Sequence, residues 1–338
     1  MKKIQMLFLI LFSVALSGCF VLRVAVNNLG ESISSSPVKI ENKIKKPLSD
    51  SVKLSALWVG HSTVLLQVYD KVIITDPFLN NRINGIFIRK KEAGLDIEDL
   101  SKLDLILISH SHMDHLSFVS LGMLEDKFPG CNLLFPEGDE NYLPDFNLNL
   151  IKANTGFYRN KKYTGEEMYV DGMKITPVYA LHQGGRYAID TYTWQERGAT
   201  GYIVQYKDVC IYFAGDTGYD DDAFKSIGND FKIDLALIPV GPCRTCQSKG
   251  MWFHTSSMEA LQVFDDLNAK YMIPIHFGAI QYFSNVDYPL YALKKILGNP
   301  ESKFNKFSGR VKILSEGNQI MWKEKNNAGI EDSEIILR

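Results

Sequence analysis

The sequence predicts an α/β fold in which helices cover the sheets, and three observations carry that expectation. Short apolar or alternating strand runs recur between residues 53 and 275. Amphipathic helical runs are interleaved with them, so the sheets must be covered by helices. Several strand runs also end in a histidine or an aspartate, which converges metal-binding side chains on one rim. At 338 residues, with 46% hydrophobic and 22% charged residues, the chain can bury a sizeable core. Its formal charge of −2 lacks the basic surplus that a nucleic-acid partner calls for.

Taken in order, the chain opens on Met1-Lys2-Lys3, a positive flank, then an apolar run over residues 4–16 and Leu16-Ser17-Gly18-Cys19. This is the layout of a secretory signal, and the apolar run is short for spanning about 30 Å of hydrocarbon. Its ending resembles the bacterial lipobox. That resemblance implies a signal peptide over 1–18, acylation of Cys19 and a membrane-anchored lipoprotein of a bacterial cell envelope. Phe20, not aspartate, follows the cysteine, which by analogy favours the outer membrane. Residues 19–52 contain Ser32-Ile33-Ser34-Ser35-Ser36-Pro37, then Lys39, Lys43, Lys45 and Lys46, and read as a flexible tether. The folded domain is expected over 53–322, with a polar tail over 323–338.

Residues 53–59, 63–69 and 71–75 read as three short strands, separated by Gly60-His61 and the tight Asp70-Lys71 turn. The third ends at Thr75-Asp76-Pro77, where proline stops the ladder. In the connection that follows, Ile83, Ile86, Phe87 and Ile88 lie between Arg82 and Arg89-Lys90-Lys91. Such a loop either meets a membrane interface or an acyl chain, or packs on its own core. A short amphipathic helix is expected over 97–103, a strand over 104–108 and a helix over 117–127. Strands follow at 131–135, 148–152, 173–179, 201–206 and 208–213. Helices near 220–228, 256–268 and 288–297 then alternate with strands at 234–240 and 271–275. In the middle helix Met258, Leu261, Phe264 and Leu267 repeat at three and four residues. Cys131 and Cys210 fall in apolar strands. Cys243-Arg244-Thr245-Cys246 suits a disulfide outside the cytoplasm better than a metal site, which a lone CxxC does not complete.

The chemistry concentrates in Ser109-His110-Ser111-His112-Met113-Asp114-His115, directly after the apolar strand. Of seven histidines in the chain, three fall within six positions here. Imidazole and carboxylate are the ligands that a divalent ion such as zinc takes. His182 closes the run Val178-Tyr179-Ala180-Leu181, and His276 closes Ile273-Pro274-Ile275. Asp216 sits in the glycine-flanked turn Ala214-Gly215-Asp216-Thr217-Gly218, where the backbone can bend close to an ion. Any one of these alone reads as a structural residue. Together with the cluster they predict a metal site fed by several strand ends.

The run from His110 to His115, followed by His182, Asp216 and His276, resembles the metallo-β-lactamase superfamily. Gly60-His61-Ser62-Thr63, Thr75-Asp76-Pro77, Ala214-Gly215-Asp216-Thr217-Gly218-Tyr219, Ile238-Pro239-Val240-Gly241, His254 and Met258-Glu259-Ala260 resemble its N-acyl-phosphatidylethanolamine phospholipase D branch. The likeness covers roughly residues 53–285. It implies a four-layer αββα sandwich with two divalent ions, taken as Zn2+, at one edge of the facing sheets. His110, His112 and His182 would hold the first ion; Asp114, His115 and His276 the second; Asp216 would bridge both. Asp76 would orient a ligand imidazole, with His61 either beside it in that role or structural. His254 would sit at the substrate phosphate and, with Asp114, serve the reaction. Ser257 stands where the family commonly has proline, and Gln183-Gly184-Gly185-Arg186-Tyr187 with Trp194 departs from the family's tryptophan-rich stretch.

The expected function is therefore a dinuclear metal-dependent hydrolase, a phosphodiesterase acting on phospholipid, held to the membrane through Cys19. The alternatives are a lactonase or amidase, a phosphodiesterase for a small soluble ester, and a non-catalytic metal-holding surface lipoprotein.

Overall fold

Side chains alternate along a strand, so a strand buried along its whole length faces two cores at once. In β1 (Val52–Gly60) Leu54, Ala56 and Trp58 point into one core, and Leu57 and Val59 into another. A computed structural model describes residues 35–83, 87–155, 162–186, 190, 198–250, 252–282, 285–323 and 334–338. The signal segment, Cys19, Ile86, Tyr187 and Trp194 lie outside the described residues.

After β1 come β2 (Thr63–Val68), β3 (Lys71–Thr75), the small hairpin of β4 (Arg82–Ile83) and β5 (Phe87–Ile88), and β6 (Leu105–Leu107). Helix α1 (Phe118–Lys127) precedes β7 (Asn132–Pro136), β8 (Asn149–Ala153), β9 (Met168–Val170), β10 (Met173–Val178), β11 (Gly201–Tyr206) and β12 (Val209–Phe213). The remainder runs α2 (Asp221–Asp230), β13 (Leu235–Pro239), α3 (Ser257–Asp266), β14 (Tyr271–Ile275), α4 (Tyr288–Gly298), β15 (Gln319–Lys323) and β16 (Glu334–Leu337). Among the described residues one sheet has eight strands in the order β16-β15-β1-β2-β3-β6-β7-β8, the other six in the order β14-β13-β12-β11-β10-β9.

The sheets face one another. Leu54, Trp58, Leu66 and Ile73 of the first share a core with Val178, Tyr202, Val204 and Tyr212 of the second. Leu121 and Leu124 of α1 cover the outer face of the first sheet against Leu57, Ile74 and Ile106. Phe224 of α2, Leu261 and Phe264 of α3, and Leu293 of α4 pack with Leu235, Leu237 and Ile273 of the second. This is the four-layer αββα sandwich. Strands β3, β6, β7 and β8 run parallel, as do β12, β13 and β14. Their carboxyl ends open on one edge, the usual place for a site in sheets of this kind.

Several expectations differ from what is seen. The helix placed at 97–103 is only a 3-10 turn, Ile97–Asp99. Beyond it the chain is already extended, because Asp104 pairs with Val72 through both its N–H and its carboxylate. Residues 38–50, given to the tether, lie against the domain. Val38 bridges Lys91, Lys43 pairs with Glu92 and Asp96, and Ile44 and Leu48 pack on the core under α1. The polar tail contains β16, which extends the larger sheet beside β15. Of the two roles open to the loop at 82–91, its described part packs inward: Ile83 and Ile88 are buried, and Arg89 is 1% exposed with its guanidinium on the Phe78, Val59 and Lys91 carbonyls. Cys243 and Cys246 form a disulfide, while Cys131 and Cys210 are free and buried. Among the described residues no helix is long and apolar enough to cross a membrane.

Candidate metal centre

Each of the ligand-type side chains leaves the end of a strand. The turn after β6 is compact because the His115 and Leu116 N–H groups both donate to the His112 carbonyl, at 3.0 and 2.8 Å. Ser117 then caps α1 through the Ser120 N–H. Arg186 grips the turn at both ends: one guanidinium nitrogen donates to the carbonyls of Ser111 (3.0 Å) and Leu116 (2.8 Å). The Tyr202 hydroxyl, from the opposite sheet, donates to the Ile108 carbonyl at 2.8 Å. His182 follows β10, Asp216 follows β12, and His276 follows β14 with its N–H on the His61 carbonyl at 3.0 Å. Gly215 has φ +61°, and a Cβ there would stand 2.4 Å from the Ser109 Cβ, so this turn accepts only glycine. His61 (φ 57°), Asp76 (φ 32°) and His276 (φ 61°) also adopt positive φ, a strain of about 1–3 kcal/mol each that tends to cluster at functional sites.

Among the described residues the donor atoms form four overlapping groups: His110, His112 and His182; His61, Asp114, His115 and His276; His182, Asp216 and His254; and Asp76, His110 and His115. In the first, His110 Nε2 lies 2.9 Å from His112 Nδ1, which lies 3.2 Å from His182 Nε2. In the second, Asp114 Oδ2 lies 3.6 Å from His115 Nε2 and 3.7 Å from His276 Nε2. Asp216 Oδ2 stands 3.3 Å from His115 Nε2, 3.0 Å from His276 Nε2 and 3.2 Å from His254 Nε2. Three of the outward ring nitrogens are occupied, those of His110, His115 and His182, while His276 Nδ1 is buried without a hydrogen bond. His182 Nδ1 donates to the Phe253 carbonyl (2.9 Å) and His115 Nδ1 to Asp76 Oδ2 (2.6 Å). The Ser109 hydroxyl donates to the same Asp76 oxygen at 2.6 Å and so must accept from His110 Nδ1 at 2.9 Å. These partners assign the tautomers and leave the Nε2 lone pairs of His110, His115 and His182 aimed inward.

The residues fit a divalent ion. Buried His115 Nε2, His276 Nε2 and Asp216 Oδ1 make no hydrogen bond, although buried polar atoms nearly always do. Imidazoles bound tetrahedrally at about 2.0–2.1 Å would place their nitrogens roughly 3.4 Å apart, close to the spacings seen. Burial first, then neighbouring imidazoles, hold His110 and His182 well below their ordinary range. Burial brings His112 to about 4 and His61 to about 3. Burial also lowers His115 and His276, but the nearby carboxylates of Asp216 and Asp114 outweigh it, holding His115 well above its usual range and His276 at about 9. The same contacts outweigh the burial of Asp114 and Asp216 and hold both carboxyls well below theirs. The neutral imidazoles of His110, His112 and His182 and the ionised carboxylates are in the protonation states that a cation requires of its ligands, whereas His115 and His276 would each give up a proton as a cation binds.

His61 is buried and its Nε2 lies 3.0 Å from Asp114 Oδ2. His254, in the loop before α3, stands directly beside the ligand-type residues, its ring 5.0 Å from that of His182, so it belongs to this edge. Ser257, in place of the family's proline, opens α3 and ties it down through Oγ to the Pro289 carbonyl (2.7 Å) and the Val240 carbonyl (3.3 Å). Three contributors had no sequence assignment: Ser109, Arg186 and Tyr282, whose hydroxyl donates to Asp114 Oδ2.

An αββα sandwich with imidazoles and carboxylates gathered at one edge defines a metal-binding class of fold. The family model for the beta-lactamase superfamily domain matches residues 71–277, and the chain belongs to that superfamily. It is a metal-dependent hydrolase of the superfamily. The chain is 27% identical over 260 residues to an N-acyl-phosphatidylethanolamine-hydrolyzing phospholipase D 1 of Caenorhabditis elegans, covering 73% of this chain and 70% of the relative. It is 32% identical over 228 residues to a metal-dependent hydrolase of Sulfurisphaera tokodaii, covering 65% of this chain and 83% of the relative. A solved metallo hydrolase of Ignicoccus hospitalis shares the fold, with a TM-score of 0.55, 20% identity, and coverage of 80% of this chain and 99% of that one.

Proposed function

We propose that the chain is a dinuclear phosphodiesterase that cleaves membrane phospholipids, with His110, His112 and His182 holding one ion, Asp114, His115 and His276 the other, and Asp216 serving both. The observation that carries this reading is the match over most of the chain to a relative that hydrolyses N-acyl-phosphatidylethanolamine. An apolar wall supports it: Phe78, Ile83, Ala279 and Ile280 pack with Phe87, Met113 and Tyr282, and Met113 lies within the ligand-bearing turn itself. Two zinc ions bound there would supply Lewis acidity and a water that is nucleophilic near neutral pH.

The protein's own groups do the rest. Asp76 and Ser109 keep two imidazoles in the tautomer that can bind an ion, and the Phe253 carbonyl does so for His182. His254, with its side chain 19% exposed, faces the open side of the edge. It can donate a proton to a departing alkoxide oxygen or a hydrogen bond to a phosphoryl oxygen. Phe87, Met113 and Tyr282, the members of that wall that are not fully buried, would give an acyl chain a dry surface on which to lie. We further propose that processing before Cys19 and lipidation of its thiol hold the enzyme at a bacterial envelope membrane, where such substrates reside. Mass spectrometry of the mature N-terminus tests that part, and an unmodified Met1 terminus would refute it.

The deciding experiment assays the purified chain on phosphatidylethanolamine species, lactones and a chromogenic phosphodiester, with and without chelator. Lipid hydrolysis that chelation abolishes and zinc restores is expected. Replacing His254 by alanine should lower the rate about 10²- to 10⁴-fold with metal content unchanged. Turnover of lactones without any phosphodiester turnover would overturn the reading.

A further inference from the structure

Asp114 and Asp216 are not equivalent as ligands. Asp114 Oδ2 accepts a hydrogen bond from His61 Nε2 at 3.0 Å and another from the Tyr282 hydroxyl. The atom that faces His115 and His276 is thus the atom on which two protein donors converge. Asp216, by contrast, keeps Oδ1 buried and without a hydrogen bond. Neither donor to Asp114 is loosely placed. The Tyr282 ring packs in the apolar wall with Phe78, Ile83 and Ile280, and lies 5.7 Å from the His276 ring with the planes 19° apart. The His61 ring sits 4.2 Å from His276, and its carbonyl accepts from both Trp58 Nε1 and the His276 N–H at 3.0 Å.

We propose that Tyr282 is a positioning residue that attenuates Asp114 as a metal ligand, so that the ion held with His115 and His276 binds less tightly than the one held by three histidines and polarises substrate more strongly. This rests on the two-ion reading given above. A carboxylate oxygen that shares its charge with an O–H and an N–H has less to offer a cation. His61 still orients Asp114 when the phenol is gone, so losing the hydroxyl exposes charge without freeing the side chain. The expected sign is therefore opposite to the common one, in which removing a partner of a metal ligand loosens the metal 10- to 100-fold. A tyrosine that merely packs the loop predicts no tightening.

The test uses the full chain and its Tyr282→Phe variant. Zinc affinity is measured by competition with a chromophoric chelator, cobalt absorption reports the ligand field, and thermal melting of the metal-free proteins checks the fold. Y282F should bind the weaker equivalent about tenfold more tightly, shift the cobalt band of that equivalent, and leave the tighter one unmoved. The Asp114→Asn background supplies the control, since with the acceptor changed Y282F should no longer tighten binding. Unchanged or weaker binding in Y282F, or equal tightening with and without Asp114, overturns the proposal. A wild-type chain that takes up a single equivalent removes the two-ion reading, and the proposal falls with it unless Y282F restores the second.

Discussion

Replacing Asp76 by asparagine should cripple metal binding while barely altering shape. Asp76 is fully buried. Its Oδ2 accepts from His115 Nδ1 and from the Ser109 hydroxyl, both at 2.6 Å, and its Oδ1 accepts from the Ser109 N–H at 2.7 Å. Asparagine keeps the size but exchanges one acceptor oxygen for an NH2 donor. In one orientation of the amide that donor confronts the His115 Nδ1–H and in the other it confronts the Ser109 N–H. The first conflict is relieved only if His115 moves its proton to Nε2, the nitrogen facing the ion. Affinity for an ion held as proposed by His115 should fall 10- to 100-fold, about 1.4–2.7 kcal/mol. The metal-free protein should lose a further 1.5–3 kcal/mol or so from the broken charge-assisted bonds. Zinc competition titrations on wild type and D76N measure the first quantity, and urea denaturation of the chelated proteins the second. A folded D76N protein with wild-type affinity for every equivalent would refute the reasoning.

Three further outcomes are expected. Burial lowers His276 and His115, but Asp216 and Asp114 hold His276 at about 9 and His115 well above the ordinary 6.5. Their contribution to the metal-free fold is thus complete below pH 6.5 and lost as pH rises through about 9, so chelated protein should melt lower at pH 9.5 than at pH 7; a higher melting point there contradicts it. Gly215→Ala should destabilise the protein by about 2 kcal/mol or more, because its Cβ would meet the Ser109 Cβ at a positive φ; unchanged denaturant midpoints would count against that geometry. A chain starting at residue 53 should melt about 4 °C or more below one starting at residue 36, since it loses Ile44, Leu48 and the Lys43 ion pairs. Equal melting points would return residues 38–50 to the role of a tether.

The turns that carry the ligand-type residues were legible because apolar strands with a histidine or aspartate at their ends are few in a chain with seven histidines. Pro77 marked the end of β3, but the role given to Asp76 came from the family resemblance alone. Tyr282 carried no such signal: it meets Asp114 across 168 positions of sequence, from a stretch without periodicity. Arg186 stood in a segment noted only for departing from its relatives, and its grip on the Ser111 and Leu116 carbonyls is a matter of backbone atoms that no side-chain pattern records. The segment 38–50 looked like a leash because local composition shows its lysines but not their partners. Lys43 and Lys45 find Asp96 more than fifty residues on. Likewise Ile335, Ile336 and Leu337 were hidden by the polar stretch before them, although three apolar residues suffice for an edge strand once β15 offers its ladder.

The ligand-type residues come from both sheets, His110 to His115 from the turn after β6 and the others from the ends of β10, β12 and β14. A cation lodged among them would therefore act as a rivet through both halves of the sandwich. Prising the halves apart would forfeit the ion, and at a thousandfold excess over its dissociation constant each such ion adds about 4 kcal/mol against unfolding. Where that metal is scarce, the same protein would become both idle and fragile at once, so the supply of metal would govern how long it survives as well as how fast it works.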